Sequence, residues 1–206
     1  MKSPLNYQIT EYDCGPTTLN NAINYLFNRE DIPPDIIKHI MLYSMDAYNS
    51  KGEFGKNGTS GMAMMFLSSW LKEFGKVKKF PIQCEYLTGP DVTIGKYSKI
   101  VSALRQGGAI VVRLRHGWWH YALLTGVDEQ YIYLFDPYYR KKAFVEEGLE
   151  IIADSPFAMN RKIAYHHLNS EGKGLYALGP VSIREATILF NTKTRKLEQS
   201  TLEYFI

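Results

Sequence analysis

The residue pattern predicts an α+β domain, on two observations. Apolar residues recur at helical spacing through roughly the first hundred positions. From Ala109 onward the periodicity changes to β-branched and apolar runs separated by short loops. Helices first and an antiparallel sheet afterwards is the α+β order.

The elements follow in turn. Gly15-Pro16 ends any preceding element, and proline is tolerated in a first helical turn, where its missing N–H is not needed. Leu19, Ala22, Ile23, Leu26 and Phe27 then keep helical spacing, so residues 14–29 read as a helix. A loop at Asp31-Ile32-Pro33-Pro34 precedes a second helix from Pro34 to about Ser44, with Ile36, Ile37, Ile40 and Met41 on one face. Residues 49–61 carry four glycines and read as a loop. Thr59 or Ser60 is placed to cap a third helix from Gly61 to about Phe74, with Gly75 as its stop. A short strand is expected at Pro81–Tyr86 and a short helix near Tyr97 to Gln106, ending at Gly107-Gly108.

Three strands come next: Ala109–Arg115, His120–Val127 and Tyr131–Asp136. The loop Asp128-Glu129-Gln130 is short enough to join the last two as a hairpin. Residues 140–173 have no clear periodicity. The tail from Gly174 to Phe205 suggests strands around Leu175–Ala177 and Ala186–Phe190. No repeat or domain boundary is visible, so residues 1–206 read as one domain.

Composition narrows the function classes. Hydrophobic residues make up 45% of the 206 and charged residues 22%, which is ordinary for a globular protein with a sizeable core. The net charge of +3 is too small to argue for nucleic acid. The basic runs Lys72, Lys76, Lys78, Lys79 and Arg140, Lys141, Lys142 read as solvated surface. No Gly-rich phosphate loop appears, no signal peptide is visible near Met1, and no stretch approaches a membrane span. Cys14 and Cys84 do not amount to a disulfide framework. The chain therefore reads as soluble and cytoplasmic, with its thiols reduced.

The informative segment is Tyr7-Gln8-Ile9-Thr10-Glu11-Tyr12-Asp13-Cys14-Gly15-Pro16-Thr17-Thr18-Leu19. It sets a cysteine at a helix start, where the positive end of the helix dipole favours thiolate, the nucleophilic form. A cysteine nucleophile needs a base, and the base needs an orienting group. His120 opens the second strand, and Asp136, followed by Pro137, closes the third. In an antiparallel hairpin the start of one strand lies beside the end of the next, so both emerge at one edge.

Gln8 with Asp13-Cys14-Gly15-Pro16-Thr17-Thr18-Leu19, His120-Tyr121-Ala122-Leu123-Leu124-Thr125-Gly126-Val127 and Phe135-Asp136-Pro137 together resemble the C39 group of papain-like cysteine peptidases. Gly58-Thr59-Ser60-Gly61 is similar to that family's middle region. The resemblance covers about residues 5–138 and leaves residues from about 140 onward as an unassigned extension. It implies a papain-like fold, with the nucleophile helix packed on an antiparallel sheet. It also implies Cys14 as nucleophile, His120 as general base, Asp136 orienting the imidazole, and Gln8 donating to the oxyanion beside the Cys14 N–H. No cofactor is implied.

His116, Trp118 and Trp119 stand where they could wall a substrate groove; core packing of the two tryptophans is the alternative. His116 and His120 have a helical metal-ligand spacing, but Gly117 and the flanking strands argue against a helix, so no metal site is expected. Cys84 reads as structural. The expected activity is a cysteine hydrolase cleaving an amide bond of a peptide through a thioester on Cys14. An acyltransferase or transglutaminase-like enzyme, or a silent papain-like peptide-binding module, are the alternatives.

Overall fold

In the computed structural model, which describes residues 1–196, three helices come first: α1 (Cys14–Leu26), α2 (Pro34–Tyr43) and α3 (Gly61–Lys78). Strand β1 (Ile82–Thr88) and helix α4 (Lys99–Arg105) precede the central meander of β2 (Ala109–His116), β3 (Trp118–Val127) and β4 (Tyr131–Phe135). Strands β5 (Leu149–Ile151) and β6 (Arg161–Ala164), helix α5 (Tyr165–Asn169) and strand β7 (Glu185–Asn191) follow. The strands form one seven-stranded sheet in the order β1-β7-β2-β3-β4-β6-β5, and every pairing is antiparallel. The α+β expectation holds.

Both faces of the sheet are covered, which explains the unbroken apolar run of β2. Ala109 and Val111 pack with α1, α2 and α3 through Leu19, Ile23, Ile36, Ile40, Leu67 and Leu71. Ile110, Val112 and Leu114 point the other way, to a core shared with Ile100, Leu104, Leu134, Ile163 and Tyr176. Fully burying one such aliphatic side chain contributes about 1.5–3 kcal/mol. An exposed pair such as Lys76–Glu73 contributes about 0–1 kcal/mol. The two cores, not the surface ion pairs, therefore hold the strands that carry the site.

Several boundaries move. The first helix stops at Leu26 rather than residue 29, with the Phe27 N–H still bonded to Ile23 O. The third runs through Gly75 to Lys78 and ends at Lys79, whose φ is +53°. Gly75 is not a stop but a close-packing site, since a Cβ there would lie 2.8 Å from Ile82 O. Of the two candidate caps for α3, Ser60 is the one used, its Oγ accepting from Ala63 N at 3.1 Å. Helix α4 begins later than expected, because Ser98 caps it by accepting from Val101 N.

The strand expected at Leu175–Ala177 is absent. Its backbone does bond to β2, with Tyr176 N donating to Arg115 O at 2.7 Å and Arg115 N to Ala177 O at 2.8 Å. However, Tyr176 has φ +63°, a left-handed conformation that no strand continues through. Residues 140–173, without visible periodicity, contribute β5, β6 and α5. The end of the tail, 197–206, lies outside the described residues. Among the described residues no helix is long and apolar enough to cross a membrane.

Candidate active site

Cys14 is the first residue of α1 and is buried. The loop before it is folded by Asp13, whose carboxylate does not cap the helix but reaches back. It accepts from Ile9 N at 3.0 Å, Thr10 N at 2.7 Å and Thr10 Oγ1 at 2.7 Å. Burial opposes ionisation of Asp13, yet these donors outweigh it and hold the carboxyl below its ordinary range. The folded loop leaves Gln8 bordering the same cleft as Cys14. Gln8 N also donates to Pro137 O at 2.9 Å, which ties this segment to the one following Asp136. On the other flank Gly15 meets the Gly58–Gly61 loop: a Cβ there would lie 2.1 Å from Thr59 Oγ1. Glycine at position 15 is what lets that loop close against the start of the helix.

His120 and Asp136 are joined by a 2.8 Å hydrogen bond from Nε2 to Oδ1. The pairing register explains why they meet. Val127 pairs with Ile132 and Gly126 with Tyr133, but Leu124 pairs with Leu134 and Leu123 with Phe135, so Thr125 is the extra residue of a bulge. Extending the register past Phe135 sets Asp136 opposite Ala122, on the same face as His120. Without the bulge Asp136 would fall opposite Leu123, on the other face of the sheet. The bulge at Thr125 therefore builds the pair.

Asp136 is fully buried and saturated with donors. Oδ1 accepts from His120 Nε2 and from Tyr138 N at 2.8 Å, and Oδ2 accepts from Tyr176 Oη at 2.8 Å. Asn160 clamps its backbone, accepting from Asp136 N and donating to Asp136 O, each at 2.8 Å. Burial alone would raise the Asp136 carboxyl, but the hydrogen bond and charge of His120 dominate and lower it. Burial alone would likewise lower the His120 pKa. Asp136, together with the nearby Cys14 side chain, raises it instead to about 10.

These shifts have opposite consequences for stability. The pKa of His120 is raised in the folded state, so its contribution is full below the ordinary 6.5 and is lost as pH rises toward about 10. The pKa of Asp136 is lowered, so its contribution is present above the ordinary 3.8 and is lost as pH falls through the depressed value. The melting-temperature advantage of the wild type over His120→Gln should therefore shrink steadily between pH 6 and pH 10. An advantage that stays constant across that range would contradict the ion pair.

A cleft of about 750 Å³ opens over these groups, bordered by Gln8, Cys14, Thr59, Arg113, Trp119 and Tyr138 among others. It brings together six of the seven residues singled out from the sequence, and the seventh, Asp136, lies fully buried behind His120. Gln8 Nε2 donates to Thr10 O at 2.8 Å, and its second hydrogen is not used in that bond. His116 lies 4.8 Å from Tyr138 with the two rings tilted by 47°, and its Nε2 sits 4.0 Å from Asp136 Oδ2. Burial lowers its pKa, so the ring is uncharged at neutral pH. Trp118 is 85% exposed at the rim, which rules out core packing for it. Trp119 is half-buried against two guanidinium groups, 3.6 Å from Arg115 and 4.8 Å from Arg113. Cys84, in β1, is buried away from the cleft, and burial pushes its thiol well above the ordinary range.

Sequence reasoning missed Asn160, Arg161 and Tyr176, which surround Asp136, and also Glu185. The Glu185 carboxylate accepts from Tyr121 Oη and, at 3.0 Å, from Tyr86 Oη beneath the cleft. It occupies the space a side chain at Gly61 would need, with Oε2 2.2 Å from a Cβ there. No motif or periodicity in the sequence marks these four residues for the site.

A family model described as the Peptidase_C39 like family matches residues 2–160. A search of the curated proteins finds no match.

Proposed function

The chain belongs to the Peptidase_C39 like family, and from that premise we propose that it is a cysteine peptidase that cleaves a peptide amide bond through a thioester on Cys14. The observation that carries this reading is the buried Asp136–His120 hydrogen bond, with His120 and Cys14 bordering one cleft. Asp136 occupies Nε2, which leaves Nδ1 for the thiol. His120 takes the Cys14 proton, and the thiolate attacks the carbonyl carbon. The tetrahedral oxyanion receives N–H donors from the first turn of α1, where backbone N–H groups have no intrahelical partner, and from Gln8 Nε2. Collapse of the intermediate expels the amine, which takes the proton from His120. Water, deprotonated by His120, then releases the acid and regenerates the thiol. His116, Trp118 and Trp119 form the wall against which the peptide lies. Residues 1–206 act as one unit in this reading, since β6 and β7 share the sheet with the site-bearing strands.

Alkylation by iodoacetamide at pH 7 followed by peptide mapping tests the reading. Cys14 should be modified at least about a hundredfold faster than Cys84, because only the thiolate reacts and Cys84 is held as a thiol. Equal rates in the folded protein would end the peptidase reading.

A further inference from the structure

We propose that Tyr176 is a positioning residue that fixes the Asp136 carboxylate for His120. The inference rests on the reading of Cys14, His120 and Asp136 above, and it assigns a role to a residue beyond the family match, which ends at 160.

The two carboxylate oxygens have different duties. Oδ1 accepts from His120 Nε2 and Tyr138 N, whereas the one hydrogen bond to Oδ2 among the described residues comes from Tyr176 Oη at 2.8 Å. With both oxygens held, the carboxylate cannot turn about its Cβ–Cγ bond. With Oδ2 released, it could swing and break the bond to His120.

Direction is imposed on the phenol as well. Arg161, fully buried, donates from Nε to Tyr176 Oη at 3.3 Å, and its other nitrogens donate to Asn160 O at 2.8 Å and Tyr138 O at 3.1 Å. An arginine only donates and a carboxylate only accepts, so the single phenolic hydrogen goes to Asp136. Tyr176 is also one of two non-glycine residues with positive φ among those described, at +63°. A bulky residue keeps that conformation only where its surroundings over-determine it. Two backbone bonds to Arg115 do so here.

The aromatic ring has packing to do in any case, lying 5.9 Å from both Phe144 and His116. Tyr176→Phe keeps that packing and removes only the hydroxyl. The test is the iodoacetamide rate at Cys14, at pH 7, in the wild type, Tyr176→Phe, Asp136→Asn and the double variant. Tyr176→Phe should slow Cys14 by roughly tenfold, and should change the rate less than about twofold in the Asp136→Asn background, because it acts through that carboxylate. A wild-type rate in Tyr176→Phe, or the same slowing in both backgrounds, overturns the proposal. A wild-type Cys14 no faster than Cys84 overturns instead the peptidase reading on which it rests, and this inference with it.

Should Tyr176→Phe fail to fold, 4-fluorophenylalanine at position 176 fills the place of the hydroxyl without a hydrogen to donate to Asp136 Oδ2. The same Cys14 rate is read: a roughly tenfold slowing is expected, and a wild-type rate overturns the proposal.

Discussion

Replacing Cys14 by alanine is expected to lower turnover of any peptide substrate by roughly 10⁴-fold or more, leaving a folded protein. In the proposed mechanism the large factor follows from covalent catalysis: without the sulfur no thioester forms, and His120 and Asp136 have nothing to activate. The packing loss is small by comparison. One sulfur leaves the start of α1, where Leu19, Ile23 and Leu26 go on filling the core, so the cost to stability is on the order of 1 kcal/mol. Cys84→Ala is the matching control, because that thiol sits in β1, away from the cleft, and should leave turnover unchanged. Steady-state kinetics on a fluorogenic peptide, with thermal melting of both variants, decides the matter. Wild-type turnover in Cys14→Ala would place the nucleophile elsewhere.

What could be read beforehand was local. Cys14 at a helix start is legible because Gly15-Pro16 and the Leu19–Phe27 spacing are contiguous in the chain. His120 and Asp136 at neighbouring strand ends are legible because a hairpin brings them together over 16 residues. The face they share was not legible, since it depends on one bulged residue, Thr125, and a single-residue change of register would have parted them. Equally hidden were Asn160, 24 residues past Asp136, and Tyr176, 40 residues past it. Asn160 lies in a stretch without periodicity, beside a β6 of only four residues. Tyr176 lies in an irregular segment whose sequence reads as a strand, so packing and not propensity places them. Gly75 was misread for a related reason. Glycine is both a helix stop and a close-approach residue, and only the position of Ile82 tells the two apart.

Asp136→Asn is expected to reduce kcat by about 10²–10⁴-fold with a smaller change in KM. Misorientation of His120 is only part of the cause. The amide could keep one oxygen for His120 Nε2 and Tyr138 N, so the geometry could survive. The charge could not. Burial lowers the His120 pKa, and it stands near 10 because the Asp136 carboxylate and Cys14 outweigh that burial. Remove the carboxylate and the burial that opposed it remains, so the His120 midpoint should fall sharply. An imidazole of lower pKa is the weaker base toward the thiol it must activate. The cleft wall at Trp118 and Trp119 is untouched, hence the small effect on KM. Two measurements check this together: kcat and KM on one peptide, and the His120 ring titration in wild type and variant. A variant with wild-type kcat would remove Asp136 from the mechanism. A lowered kcat with an unmoved His120 midpoint would mean that the carboxylate acts by orientation alone, and that the charge argument is wrong.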